Sequence, residues 1–285
     1  MCRLTAYLGR PIPASTLVFG GDHPLFEQSW RPQELLSGSV NADGYGVAWY
    51  GPDGGGDPGR PGRIVGERPI WSDEADLRRS LPLLRSRCVV AALRNGTPGI
   101  PLDRSGLLPM VDGRWTFVLN GYVPDFRARH MRALRATLPD ALYARLQGSS
   151  DSETLFLIAL AALDGGADPA GALAEVVRRV ADRVGGTEAQ HNMLLTDGRT
   201  LAVVRAGTVA STNSLYLTEG HPLAPDGVLF ASERLDGHES WRAVEPHHVV
   251  VVGPLATPQG VSAATSVSSI SKIRIPSGPR TPSAS

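Results

Sequence analysis

The sequence predicts an α+β fold with antiparallel sheets, because β-type segments come first, helical segments follow, and β-type segments then return. Stretches typical of strands lie at 3–8 and 88–94. Apolar residues at helical spacing mark 154–163 and 170–184. After residue 186, β-prone stretches return at 191–196, 200–205, 215–218, 228–232 and 248–252. Helices grouped in this way do not fit a repeating βαβ unit, so they are expected to cover antiparallel sheets.

The first quarter of the chain is expected to consist of strands joined by turns. The strand at 3–8 should be broken by Pro11 and Pro13, which cannot donate a ladder hydrogen bond. Residues 41–50 are a turn-forming cluster that runs into a β-prone segment. The Gly/Pro/Asp-rich stretch 51–62 then predicts an exposed hairpin loop before a returning strand.

Helices are expected in the middle of the chain. Ser72 can cap a helix over 73–84, which an internal proline would shorten. The Arg-rich segments 126–136 and 141–146 also have apolar residues at helical spacing. The sequence Ser-Asp-Ser-Glu at 150–153 matches a capping box, so a helix should start there.

The end of the chain has a different composition from the rest. From residue 256 to residue 285 it is rich in Ser, Pro, Thr and Ala. Such a segment buries too little apolar surface to offset the entropy of ordering, so it is predicted to be disordered. One folded domain is therefore expected over residues 2–255.

Composition excludes several classes of protein. The 285 residues carry 28 Lys+Arg and 28 Asp+Glu, so the basic excess of a nucleic-acid-binding protein is absent. No stretch is long and apolar enough to span a membrane. The two cysteines, Cys2 and Cys88, allow neither a disulfide framework nor a zinc site. A reducing cytoplasm is the expected location. Cys88 lies inside an apolar run and is interpreted as a core residue.

Cys2 is the first candidate for chemistry. It follows Met1 directly and is small enough to allow removal of that methionine. The chain would then begin with a thiol and a free α-amine on one residue. The amine has an ordinary pKa of about 8 and the thiol of about 8.5, so the amine can take up or relay the thiol proton. Position alone is weak support, because Cys2 is equally well explained as an early strand residue.

Further segments strengthen the case for Cys2 by their order. The block 41–50 is followed by Arg-Asn-Gly-Thr-Pro-Gly at 94–99, Asn-Gly at 120–121 and the capping box at 150–153. Each alone has an ordinary explanation as a solvated strand end, a turn or a helix start. Together, behind an N-terminal Cys, they resemble the class II glutamine amidotransferase family of N-terminal-nucleophile hydrolases.

The resemblance implies a four-layer αββα sandwich of two antiparallel sheets, with Cys2 at the start of the first strand. It implies that Arg94 and Thr97 hold the α-carboxylate of a glutamyl group and that Asp151 holds its α-ammonium group. Asn120 and Gly121 would form the oxyanion hole, since a side-chain amide and a main-chain N–H can both donate to a developing charge. No metal or organic cofactor is implied.

The segments 1–9, 41–50, 194–198 and 231–236, with Trp241 after them, carry a closer resemblance. Within the family they resemble most the branch that removes glutamate from a γ-glutamyl amide in ergothioneine biosynthesis. The substrate would be γ-glutamyl-cysteinylhercynine S-oxide, a small molecule. The sequence departs from the branch pattern at Gly96, at Arg234 and at Leu119, where the family usually has His. These departures affect the expected choice of substrate more than the expected type of reaction.

Two alternative functions stay open at this stage. One is a glutaminase that passes ammonia to a partner synthase, for which the chain would require a separate subunit. A non-catalytic binding protein with a degenerate pocket is the other alternative, and Leu119 is its best support. Oligomeric state is left open by the sequence.

Overall fold

The computed structural model describes residues 2–36, 38–51, 60–96, 99–185, 189–208 and 212–253, together with the main chain of 269–274. The described strands are β1 Arg3–Pro13, β2 Tyr45–Trp49, β3 Gly62–Gly66, β4 Arg85–Leu93, β5 Met110–Asp112, β6 Trp115–Tyr122, β7 Gln190–Thr196, β8 Leu201–Gly207, β9 Tyr216–His221, β10 Ala224–Ala231, β11 Arg242–Ala243, β12 His248–Gly253 and β13 Ser269–Arg274. The described α-helices are α1 Ser15–Phe19, α2 Leu25–Gln28, α3 Glu74–Ser80, α4 Met131–Arg135, α5 Asp140–Tyr143, α6 Asp151–Asp164 and α7 Pro169–Val184.

These strands form two antiparallel sheets. The first has the order β11-β9-β10-β1-β4-β2-β3, and the second has the order β13-β12-β8-β7-β6-β5. One continuous apolar core lies between the sheets and under α6 and α7, while a second core lies between the first sheet and α1–α3. The arrangement is therefore helix, sheet, sheet, helix, which confirms the predicted α+β class and the four-layer sandwich.

Strand β1 lies at the centre of the first sheet, between β10 and β4. Because side chains alternate along a strand, β1 contributes to both cores. Leu4, Ala6 and Leu8 belong to the core between the sheets, whereas Tyr7 belongs to the core under α1–α3. Cys2 continues the first series and joins the core between the sheets. The position of the cysteine thus follows from the periodicity of the strand.

Two predicted elements differ in detail. Strand β1 continues through Pro13, because the β1–β4 register shifts between Leu8 and Ile12 and the irregularity accommodates the prolines. The helix expected over 73–84 consists of α3 between two short 3₁₀ turns, and Ser72 lies inside the first turn instead of capping the helix.

Helix α6 begins as the capping box predicts. The Ser150 side chain accepts a hydrogen bond from Glu153 N–H at 3.1 Å. The Glu153 carboxylate, however, accepts from the N–H groups of Gln147 and Gly148, in the loop before the helix. The cap therefore ties α6 to its preceding loop, which determines where Asp151 is presented.

Part of the tail predicted to be disordered is a strand. Main-chain pairing joins β13 to β12 from His248↔Arg274 to Gly253↔Ser269. The edge of β12 offers a row of hydrogen-bonding groups for this pairing, which composition does not reveal. The remaining residues of 256–285 lie outside the described part of the chain, as does most of the predicted loop at 51–62.

Among the described residues, no helix is both long enough and apolar enough to cross a membrane.

His191 on β7 is expected to make the stability of the fold depend on pH. Burial of its ring lowers the pKa from 6.5 to about 4, because the interior disfavours the charged form. The stabilisation that the neutral ring provides is complete above pH 6.5 and is lost as the pH falls towards 4, by about 3 kcal/mol at most. We expect His191→Leu to reduce this loss, as measured by urea unfolding between pH 7.5 and pH 4. Parallel stability curves for the variant and the wild type would contradict the assignment.

Candidate active site

Cys2 lies at one end of the sandwich, beside the end of β4. Arg3 is paired with Leu93, so Cys2 is a neighbour of Arg94, the first residue after β4. The Cys2 thiol lies 3.7 Å from the carbonyl oxygen of Asn95 and is 6% exposed. The thiol is therefore close to the surface of the inter-sheet core without being open to bulk solvent.

A small cavity open to the surface is lined in part by Cys2. Its walls come from the start of β1, the loop after β4, the end of β6 and the start of α6. The lining residues are Cys2, Arg94, Asn95, Ile100, Gly106, Leu108, Gly121, Ser150, Asp151 and Ser152. Four of the six residues proposed from the sequence, namely Cys2, Arg94, Gly121 and Asp151, thus line a single cavity. Thr97 lies outside the described residues.

The surroundings of Cys2 act on its pKa in opposite directions. Burial raises the pKa of the thiol, because the interior disfavours a thiolate. The positive charge of Arg94 lowers this pKa, whereas the negative charge of Asp151 raises it. The reactivity of the thiol is therefore sensitive to the two charged residues that share its cavity.

Arg94 is buried, but its charge is not neutralised by a carboxylate. Its guanidinium donates hydrogen bonds to the carbonyl oxygens of Asp103 at 3.0 Å and Pro101 at 3.3 Å. The main chain of Gly106 lies against the guanidinium, where any larger residue would displace it. Within the described part of the chain, Arg94 forms no ion pair. A guanidinium held in this way is suited to bind an anionic group in the cavity.

Asp43 holds the loop that follows Arg94, a role that the motif comparison did not assign to it. Its carboxylate accepts a hydrogen bond from Gly96 N–H at 2.7 Å, and its own N–H donates to the Arg94 carbonyl at 3.1 Å. Arg94 N–H in turn donates to the Gly44 carbonyl at 2.8 Å. The Asp-Gly turn before β2 was the available signal, since a carboxylate in such a turn often binds nearby N–H groups.

Asn120 and Gly121 lie together near the end of β6. The Asn120 side chain is fully buried, and in the part of the chain that the structure describes neither its amide nitrogen nor its amide oxygen has a hydrogen-bond partner. Gly121 lines the cavity, and a side chain at this position would overlap the carbonyl oxygen of Gln190 on β7. Close packing of the two strands therefore requires glycine here. An unpartnered buried amide is costly in a resting protein, which points to a role in binding.

Leu119 does not face the proposed oxyanion hole. It is buried in the apolar core and precedes Asn120 on β6, so the two side chains point to opposite faces of the sheet. The leucine at this position therefore contributes to packing and leaves the Asn120 amide unaffected.

Asp151 is the first residue of α6 and is buried. One carboxylate oxygen accepts from Val123 N–H at 3.0 Å, and the other accepts from Ser152 N–H at 2.8 Å. Burial raises the pKa of this carboxyl group, while the main-chain hydrogen bonds lower it. The carboxylate is held in place by the main chain, and an ammonium group in the cavity would supply the missing counter-charge.

The two charged neighbours of Cys2 are expected to shift its reactivity in opposite directions. Arg94→Gln should move the pH dependence of Cys2 alkylation by iodoacetamide to higher pH, because a charge that favours the thiolate is lost. Asp151→Asn should move it to lower pH. Cys2→Ala measures the background from Cys88, whose burial raises its pKa to about 12. Shifts in the same direction for both variants would contradict the electrostatic account.

Among the described residues, no three His, Cys, Asp or Glu side chains come together as a metal site.

Two solved structures superpose on most of this chain. A glutamine aminotransferase class-II domain protein from Silicibacter pomeroyi superposes with a TM-score of 0.66 at 24% identity, and covers 96% of this chain and 98% of that one. The glutamine phosphoribosylpyrophosphate amidotransferase of B. subtilis superposes with a TM-score of 0.62 at 14% identity, over 96% of this chain and 49% of that one. At these identities the likeness concerns the fold.

Proteins with related sequences give a more specific comparison than the solved structures do. The γ-glutamyl-hercynylcysteine sulfoxide hydrolase of Mycolicibacterium smegmatis is 32% identical over 254 residues, which are 88% of this chain and 96% of that protein. The protein of the same name from Mycobacterium tuberculosis H37Rv is 31% identical over 260 residues, covering 88% and 93%. The family model of class-II glutamine amidotransferases matches residues 28–272. The chain therefore belongs to the class-II glutamine amidotransferases.

Proposed function

We propose that the chain is an amidohydrolase that uses Cys2 as an N-terminal nucleophile to release glutamate from a γ-glutamyl amide. The observation that carries the proposal is the convergence of Cys2, Arg94, Gly121 and Asp151 on one cavity. These residues supply a nucleophile, a cation, a main-chain donor and an anion within reach of a single small ligand.

Removal of Met1 would leave the α-amine and the thiol on the same residue. The amine takes the thiol proton, either directly or through a water molecule, and the thiolate attacks the γ-carbonyl carbon. Burial of Cys2 disfavours the free thiolate, so proton transfer coupled to attack is the preferred route. The unpaired thiols of Cys2 and Cys88 suit a reducing cytoplasm.

Attack converts the carbonyl oxygen into an oxyanion. The Asn120 amide nitrogen has no hydrogen-bond partner among the described residues, and its neighbour Gly121 lines the cavity. Both are available to donate to that oxygen. Donors fixed before the reaction stabilise developing charge without the cost of reorienting solvent.

Collapse of the tetrahedral intermediate breaks the C–N bond, and the leaving amine takes the proton held by the Cys2 amine. A γ-glutamyl thioester remains on Cys2. Water, deprotonated by the same amine, attacks the thioester, and the thiol is released with glutamate. Every step is acid–base and acyl-transfer chemistry, for which the chain's own groups suffice.

Charge complementarity selects the glutamyl end of the substrate. Arg94, with its unneutralised guanidinium, suits the α-carboxylate, and Asp151 suits the α-ammonium group. Thr97, beyond the described residues, is proposed to assist Arg94. A ligand that presents both groups on one carbon matches this pair, whereas a simple amide lacks both.

The substrate that we propose is γ-glutamyl-cysteinylhercynine S-oxide. Support comes from the names of the two mycobacterial relatives, which align with nearly the whole chain. The second candidate is glutaminase activity that supplies ammonia to a partner synthase. It is favoured by the fact that Arg94 and Asp151 address only the glutamyl end, which free glutamine shares.

Cys2→Ala is expected to abolish glutamate release from the γ-glutamyl sulfoxide, because the variant lacks the thiol that is proposed to form the thioester. Glutamate formation and intact mass are measured for the wild type and the variant, with the sulfoxide and with glutamine. Turnover of glutamine alone would favour the glutaminase. Activity on neither substrate, or retention of Met1 in the wild type, would sink the proposed mechanism.

Asn120→Ala is expected to lower kcat by about 10²- to 10³-fold, the usual effect of losing one oxyanion donor, with KM nearly unchanged. Thr116→Val is the matched control, because Thr116 is also buried on β6 but hydrogen-bonds Tyr50 at the opposite end of the strand. Steady-state kinetics of both variants check the assignment. Equal losses of activity in the two variants would refute it.

A further inference from the structure

A polar segment at residues 212–214 lies against the end of the second sheet, next to the proposed oxyanion hole. The Asn192 side chain on β7 donates hydrogen bonds to the carbonyl oxygens of Asn213 at 3.1 Å and Ser214 at 2.9 Å. Asn213 N–H donates to the side-chain oxygen of Gln190 at 2.9 Å. Strand β7 thus holds this segment by its main chain.

The same segment reaches the first sheet close to the nucleophile. Ser214 donates its hydroxyl hydrogen bond to the Ser232 carbonyl at 2.7 Å. The Ser232 hydroxyl accepts from Leu4 N–H at 3.0 Å, two residues after Cys2. A short run of hydrogen bonds therefore connects β7 with the start of β1.

The Asn213 side chain makes one further contact, with the main chain of the proposed oxyanion hole. Its side-chain nitrogen donates to the main-chain carbonyl oxygen of Asn120 at 3.1 Å, and the contact is buried. That oxygen and the Gly121 nitrogen belong to the same peptide group. The group is trans, so its C=O and N–H point in opposite directions. Holding the oxygen therefore determines where the Gly121 N–H points.

We infer that Asn213 is a positioning residue for the oxyanion hole: it fixes the Asn120–Gly121 peptide group through the carbonyl and strengthens its N–H as a donor. The inference rests on the proposed function. A hydrogen bond to the carbonyl of an amide polarises the group, and it thereby improves the N–H at the other end. Asn213 holds the carbonyl end of this peptide group, and the Gly121 N–H at the other end binds the reacting oxygen.

The support for Asn213 is itself rigid. Arg205 on β8 donates to the Thr212 hydroxyl at 3.1 Å and to the Val244 carbonyl at 2.7 Å. Asn213 is 1% exposed, so its side chain has little freedom to leave the Asn120 carbonyl. A side chain of the same shape as asparagine but without an N–H donor would place an oxygen atom against the Asn120 carbonyl oxygen.

Asn213→Asp is the direct test, because the change keeps the shape and removes the donor. We expect kcat for the γ-glutamyl sulfoxide to fall by roughly 10- to 100-fold, as for other residues that act through a neighbour, with KM changed by less than about threefold. The rate of Cys2 alkylation by iodoacetamide should stay at the wild-type value, because alkylation develops no oxyanion. Asn213→Ala, which adds no charge, should lower kcat in the same way. It replaces Asn213→Asp in the test if the Asp variant does not fold.

Thr196→Val is the matched control. Thr196 is buried on β7, like the residues that hold Asn213, but its hydroxyl bonds Thr200 and Gly198 at the far end of the strand. We expect a lower Tm with unchanged kcat. If both Asn213 variants keep kcat within twofold of an active wild type, or if kcat and alkylation fall together with Tm, the inference is wrong. An inactive wild type would instead contradict the proposed function itself.

Discussion

The antiparallel register between β1 and β4 is the constraint on which the rest of the site depends. Pairing of Arg3 with Leu93 brings the residue before β1 beside the residue after β4, so Cys2 and Arg94 become neighbours. A slip of one residue would turn Cys2 out of the core between the sheets. Burial of Leu4 and its successors on the inner face stabilises the observed register, because a slip would expose that entire apolar series.

The two arginines near Cys2, Arg3 on β1 and Arg94 after β4, have different environments. Arg3 points to the opposite face, where its guanidinium is fully buried at 3.1 Å from the Glu233 carboxylate. That carboxylate also accepts main-chain N–H bonds from Gln33 and Glu34, so it anchors the loop behind the strand. Arg94, in contrast, donates to the carbonyl oxygens of Asp103 and Pro101, and within the described residues it forms no ion pair. The buried ion pair of Arg3 and the guanidinium of Arg94 thus lie on different sides of the same strand region, and only Arg94 lines the cavity.

Local features of the fold could be predicted from the sequence where neighbouring residues determine them. The Ser150 cap depends on atoms within three residues, and the helix starts where the pattern indicates. The pairing of β13 depends instead on the distant strand β12, and composition concealed it. The helix expected at 73–84 lies between two 3₁₀ turns, and the second turn contains Pro82, the proline expected to shorten the helix.

The sequence by itself determined the type of fold and the chemically active residue types, because strand periodicity, cap signals and the order of motifs are properties of short segments. It identified Cys2, Arg94 and Asp151 by that order. Only the tertiary structure decided that these residues share one cavity and that Asp43 and Asn213 support it. Both of these residues act on main-chain atoms of segments more than fifty positions away. The Asp-Gly turn marks Asp43 as an acceptor, but the partners of such contacts have no sequence signature, since almost every residue supplies an N–H or C=O and only folding brings the two segments together.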